Sequence, residues 1–216
     1  MAKVLKNGLL SGRVGNLVYF VINGKQYVRT WAKPSDPGTP AQRRQRAKMR
    51  TCAKFFSPLK NVIRIGYQGG SKDLEQFNEC TRYHMENAME DVTESGSTDF
   101  TFRVIPQKVK LSRGHIPWPE VISCERTGRE LSLTWDPDLG IQSNQRNDSL
   151  VVVGYIPGKK PFVDFHSGTR AAGAATVILP NDFSSPAYVW GFYLSVSRSS
   201  RGDKWNVSDS VYLGNL

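Results

Sequence analysis

Acidic residues are nearly missing from the first third of this 216-residue chain. Residues 1–70 hold fourteen Lys and Arg against one acid, Asp36, a balance of +13, while residues 71–216 hold fifteen against eighteen, a balance of −3. The whole net charge of +10 therefore sits in the first third, and such asymmetry points to an anionic partner for that third. Cysteine is also scarce: Cys52, Cys80 and Cys124 are odd in number and widely spaced, which excludes a disulfide framework and implies reduced, structural thiols. The three histidines, His84, His115 and His166, stand at no ligand spacing from one another or from a cysteine, so no metal site is expected. No apolar run approaches the roughly 20 residues of a membrane span. The nearest, "NLVYFVI", runs into the turn signal Asn23-Gly24. Without a signal peptide's apolar stretch and cleavage site, the expected location is cytoplasmic, with a place in a virion as the alternative.

Motifs of catalysis are missing as well. There is no Gly-x-Ser-x-Gly, no phosphate loop ending in Gly-Lys-Ser/Thr, and no cysteine in a nucleophile's setting. The acids of "HMENAMEDVTE" read as a solvated helix end. His84 falls on an apolar helix face, where a packed, hydrogen-bonded role is expected. No catalytic residue and no cofactor is assigned, and the protein is expected not to be an enzyme.

What is present begins with a hairpin. "LVYFVI" and "KQYVRT" flank Asn23-Gly24, the pairing of residues that a two-residue type I′ turn demands. That loop length sets Phe20 opposite Tyr27, Val18 opposite Arg29 and Tyr19 opposite Val28. Lys25 and Arg29 border the Phe20/Tyr27 face, which could stay accessible. Upstream, Gly8, Gly12 and Gly15 imply turns or close backbone approach.

The stretch "TPAQRRQRAKMRTCAKFF" at 39–56 reads as a helix with Thr39 at the N-cap and Pro40 at its first position. Four arginines and two lysines fall within 43–54, with no acid. At 100° per residue, Arg43, Arg46, Arg50 and Lys54 share an arc of about 80°. Ala41, Met49, Cys52, Ala53, Phe55 and Phe56 fall on the other side and are expected to pack inward. A soluble helix normally mixes Glu with Lys at i,i+4, because like charges there repel by a few tenths of a kcal/mol per pair. A stripe that keeps this repulsion suits a polyanion, and arginine suits bidentate phosphate or carboxylate contacts. Ser57-Pro58 opens a short second helix with Leu59, Val62 and Ile63, and Leu74, Phe77, Thr81, His84, Met85 and Ala88 place another over about 72–90.

From about residue 108 the period changes to two. "VKLS", "EVISCE", "ELSLTWD", "DSLVVVGYI", "PFVDFHS", "ATVILP", "YVWGFYLSVSR" and "WNVSDSVYLG" read as short strands between turns, hence an antiparallel β-sandwich with Trp135 and Tyr155 in its core. Arg201-Gly202-Asp203 lies between the last two of these and reads as a turn.

The tryptophan of "LSLTWDP", the tyrosine of "VVVGYIP" and the long "YVWGFYLSVSR" resemble strands of an immunoglobulin/fibronectin type III-like domain. The whole chain resembles an uncharacterised family common in Bacteroidota, through "LKNG" at 5–8, "SGRVGNLVYF" at 11–20, "TPAQRRQRAKM" at 39–49, "FFSPLKNVIRIGY" at 55–67, "VKLSRG" at 109–114 and "SDSVYLG" at 208–214. That resemblance runs nearly end to end, supports the layout and implies no catalytic residues.

The expected architecture is α+β: a basic hairpin-and-helix module over 1–105, then a fibronectin type III-like antiparallel β-sandwich over 106–216. The expected function is non-enzymatic. The basic module docks on an anionic macromolecule, nucleic acid backbone or an acidic protein surface, and the sandwich makes protein contacts. Arg43, Arg46, Arg50 and Lys54 are the expected contacts, extended by Lys25 and Arg29. The alternative is a structural component of a virion or surface appendage, anchored through the same basic arm.

Overall fold

The structure is a computed structural model that describes residues 3–6, 8–33, 35–36, 38–68, 75–118, 122–137, 146–183, 186–197 and 204–216. Its chain forms two compact units, residues 1–39 and 40–216. Gly69, Gly70, Leu74 and the Arg201-Gly202-Asp203 turn lie outside the described residues.

The first unit is a four-stranded antiparallel meander of β1 (Lys3–Val4), β2 (Leu10–Val14), β3 (Leu17–Ile22) and β4 (Lys25–Thr30), in that order. Asn23 and Gly24 both hold positive φ, 50° and 78°, as a type I′ turn requires, and the expected register follows: Phe20 opposite Tyr27, Val18 opposite Arg29, Tyr19 opposite Val28. The hairpin is only half of this sheet. A second tight turn at Gly15-Asn16, with Gly15 at φ 56°, joins β2 to β3. Every described side chain of residues 3–39 remains at least partly exposed.

The second unit opens with α1 (Pro40–Phe56), which begins at the proline as expected, then α2 (Lys60–Gly66) and α3 (Gln76–Asn87). A small ladder follows, β5 (Met89–Asp91) with β6 (Phe102–Val104). The remaining strands are β7 (Ile122–Thr127), β8 (Glu130–Trp135), β9 (Ser149–Tyr155), β10 (Phe162–Thr169), β11 (Ala174–Ile178), β12 (Tyr188–Ser197), β13 (Lys204–Val207) and β14 (Val211–Asn215). They form a five-stranded antiparallel sheet, β10-β9-β12-β13 with β14 also on β12, and a three-stranded sheet, β11-β8-β7. The fold is α+β with sandwich-like antiparallel sheets.

Two apolar cores explain where the units divide. Between the sheets, Leu131, Leu133 and Trp135 meet Leu150, Val152, Val189 and Tyr193. On the other side of the five-stranded sheet, Val151, Val153, Tyr155, Trp190, Phe192 and Leu194 meet Cys52, Phe56, Leu59, Val62, Ile63 and Cys80 from the helices. β9 and β12 are thus covered on both faces, which is why "LVVVGY" and "YVWGFYL" are nearly continuous apolar runs rather than alternating ones. Helices α1–α3 pack on this sheet and belong with it to the compact unit 40–216. Trp135 lies in the core between the sheets, whereas Tyr155 faces the helices.

"VKLS" is not a strand. Its backbone is held by side chains: Lys110 N–H donates to His84 Nε2 at 2.9 Å, and Leu111 N–H donates to Ser210 Oγ at 2.7 Å. Ser112 Oγ donates to the Ser208 carbonyl at 2.7 Å, binding residues 109–114 to 208–210. Gly66 permits this approach, since a Cβ there would lie 2.1 Å from the Leu111 carbonyl oxygen.

Candidate anion-binding face

The helix α1 is built as a one-sided element. Cys52 and Phe56 are fully buried, whereas Arg43, Arg46, Arg50 and Lys54 are all exposed and share the face that helical geometry assigned them. Met49, expected inward, is 47 % exposed, and Ala41 is exposed too. The helix is seated through its last two turns, so its first turns reach past the core.

Neighbouring elements then sort the cations. Arg44 pairs with Asp91 at 2.8 Å, and Arg44 and Lys48 lie over the Phe102 ring, at 5.8 and 5.4 Å from its centroid. That flank is consumed by the β5–β6 ladder. On the outer stripe, Arg43 Nη1 donates to the Thr98 carbonyl at 3.5 Å. Arg50 and Lys54 have no ion pair among the described residues. Arg103, on β6 of the same ladder, is matched by its cross-strand partner Glu90 at 2.6 Å. Asp91 and Glu90 are thus committed to cations outside the stripe, Arg44 and Arg103.

Lys54 also stands at the edge of a cleft of about 660 Å3. Phe55, Tyr155, Tyr188 and Tyr212 line it, with Arg103 and Lys159. Sequence reasoning missed this cleft because its aromatic residues come from a helix and three strands far apart in the chain.

In the first unit, Lys25 and Arg29 lie on one face of the sheet. Cross-strand partners share a face, so this one also carries Lys3, Arg13, Val18, Phe20, Ile22 and Tyr27. Phe20 and Tyr27 stack with centroids 5.7 Å apart, and the Arg13 guanidinium sits 3.7 Å from the centroid of the Trp31 ring. Arg13 and Trp31 were missed as members of this face. The Gly15-Asn16 dipeptide before "LVYF" was the signal that would have extended the hairpin by a strand.

Titratable groups elsewhere are committed to packing. His84 is fully buried; its Nδ1–H donates to the Cys80 carbonyl at 2.7 Å while Nε2 accepts from Lys110, and burial lowers its pKa to about 4. Both ring nitrogens are therefore satisfied in the neutral form. Burial pushes the Cys52 and Cys124 thiols up to about 11, which disfavours a nucleophilic thiolate. Among the described residues, no group of three or more His, Cys, Asp or Glu is placed to hold a metal ion, and no helix is long and apolar enough to cross a membrane.

No curated protein and no solved structure matches the chain. A family model described as a family of unknown function, DUF6266, matches residues 9–214, and the chain belongs to that family.

Proposed function

We propose that this protein is a non-enzymatic binding protein whose α1 stripe docks on an anionic macromolecule, with nucleic acid backbone as the partner. The observation that carries the reading is the stripe itself. Arg43, Arg46, Arg50 and Lys54 are exposed on one face of a helix without a single acid, and the neighbouring acids Asp91 and Glu90 are engaged by Arg44 and Arg103. Like charges at this spacing along a helix are tolerated where an anion relieves them. Lys25 and Arg29 supply a further basic face on the sheet. No base-reading element accompanies either face, so contacts run to phosphates and sequence discrimination is weak. The fibronectin type III-like pair of sheets makes the protein contacts in this reading.

Titration against labelled duplex DNA across a salt series tests it. Four neutralised phosphates give a log–log slope of about −3.6. Replacing the four stripe residues with glutamine should flatten that slope and leave the circular dichroism unchanged, since none lies in the core. Absence of wild-type binding at low salt would sink the nucleic-acid reading. A quadruple variant that binds like wild type would show the stripe to be a solvated face.

A second reading, a structural component of a larger assembly, is favoured by one observation. Among the described residues, eight of the twelve exposed large hydrophobic ones lie in residues 1–39.

A further inference from the structure

We infer that the uncharged face of the β1–β4 sheet is a self-association surface, and that its occupant is the same face of a second copy of this chain. The register divides the sheet's side chains into two sets. One set holds Val4, Leu10, Val14, Leu17, Val21 and Val28, together with Gly12, Tyr19, Gln26 and Thr30, and contains no charge. The other holds the four cations Lys3, Arg13, Lys25 and Arg29 and no acid.

A single antiparallel sheet is stable when at least one face is covered by another layer. Here the uncharged face is open: Val4 is 71 % exposed, Val28 55 %, Val14 49 % and Leu17 40 %. Its apolar residues alternate along β2 and β3, with Val28 continuing the patch onto β4, as on the inner face of a two-sheet sandwich.

Charge selects the occupant. Two copies of the uncharged face meet without burying an ion or opposing like charges, as an isologous interface requires. The opposite face cannot meet its own image, because four cations would face four. One side of the sheet therefore selects a second copy, and the other selects an anion.

Area sets the strength. Four strands of about five residues, at about 4.8 Å between strands and about 3.4 Å per residue, make a face of roughly 320 Å2. Two such faces remain below the roughly 1,200 Å2 of a standard stable interface, so association is weak. It is also apolar, hence insensitive to salt that weakens anion binding.

Sedimentation velocity on the full chain from about 5 to about 500 µM, at low and high salt, is the test. Wild type should pass from monomer to dimer across that range at both salt concentrations. The double variant L17E/V28E should weaken association at least tenfold, while I22Q, on the opposite face, should leave it unchanged. Circular dichroism identifies a variant that fails to fold. Val28→Cys and Ile22→Cys chains treated with a short bis-maleimide then give an independent reading: the first should yield covalent dimer and the second should not. A wild type that stays monomeric throughout, or equal cross-linking at both positions, overturns the proposal. Concentration-independent hydrogen-exchange protection of β2–β4 would overturn it too, by showing the face covered within its own chain. Dimerisation that survives in the glutamine-substituted stripe variant would separate this surface from the anion-binding one.

Discussion

Lowering the pH below 6.5 should destabilise this protein through one residue, His84. In the folded state its ring is fully buried, donates to Cys80 and accepts from Lys110, and burial holds its pKa at about 4 against an ordinary value of 6.5. The folded pKa is depressed, so the contribution is fully present above the unfolded value and is lost as pH falls towards the folded one. Below pH 6.5 the unfolded chain binds a proton that the folded chain refuses. At about pH 5 the linkage relation gives a loss of about 2 kcal/mol, approaching about 3 kcal/mol near pH 4. That is a large share of the roughly 5–15 kcal/mol a domain commands. Urea unfolding followed by tryptophan fluorescence, at several pH values between about 7.5 and 5, measures it. His84→Gln is the comparison: it should be less stable at neutral pH by about 1–3 kcal/mol, because glutamine cannot satisfy both partners, yet lose less on acidification. His115 and His166 are exposed and remain in both proteins. If wild type and variant lose stability in parallel between about pH 7 and pH 5, His84 is not the source and the argument fails.

Two further outcomes are expected from the architecture. Asp148 and Arg170 form a buried pair at 3.6 Å with side chains 3 % and 2 % exposed, so Arg170→Met alone should cost about 3–5 kcal/mol in urea unfolding, and D148N/R170M distinctly less. A double variant less stable than the single one would contradict this. Residues 106–216 expressed alone should give a poorly dispersed proton–nitrogen NMR spectrum, because the helix-facing sides of β9 and β12 would be bare; a well-dispersed spectrum would show that the sandwich folds without the helices.

Local chemistry was legible in the sequence wherever one residue type had one physical job. Asn23-Gly24 named its turn and, through it, the register of β3 and β4. Thr39-Pro40 marked the start of α1, and its basic stripe came out exposed. Tertiary burial was harder to read. Alternation in "DSLVVVGYI" suggested a half-buried strand, although three consecutive valines already signalled cover on both sides. The expected boundary at 106 rests on that alternation, since a two-sided strand uses the helices as its second layer. Met49 fell on the apolar arc by angle, but an angle does not tell how far along a helix the core extends. The cleft beside Lys54 and the uncharged sheet face depend on residues from separate strands, which periodicity within one segment cannot join.

The placement of β9 and β12 between two layers has a consequence for synthesis. The helices leave the ribosome early, yet the sheet surface that covers Phe56 includes Phe192, and the segment that clasps Leu111 includes Ser210. At about 5–20 residues per second, an apolar helical face waits on the order of ten seconds for its cover. During that interval the nascent chain presents a sticky, cationic surface beside ribosomal RNA. Its production in cells should therefore depend on holding factors more than the finished protein's stability suggests.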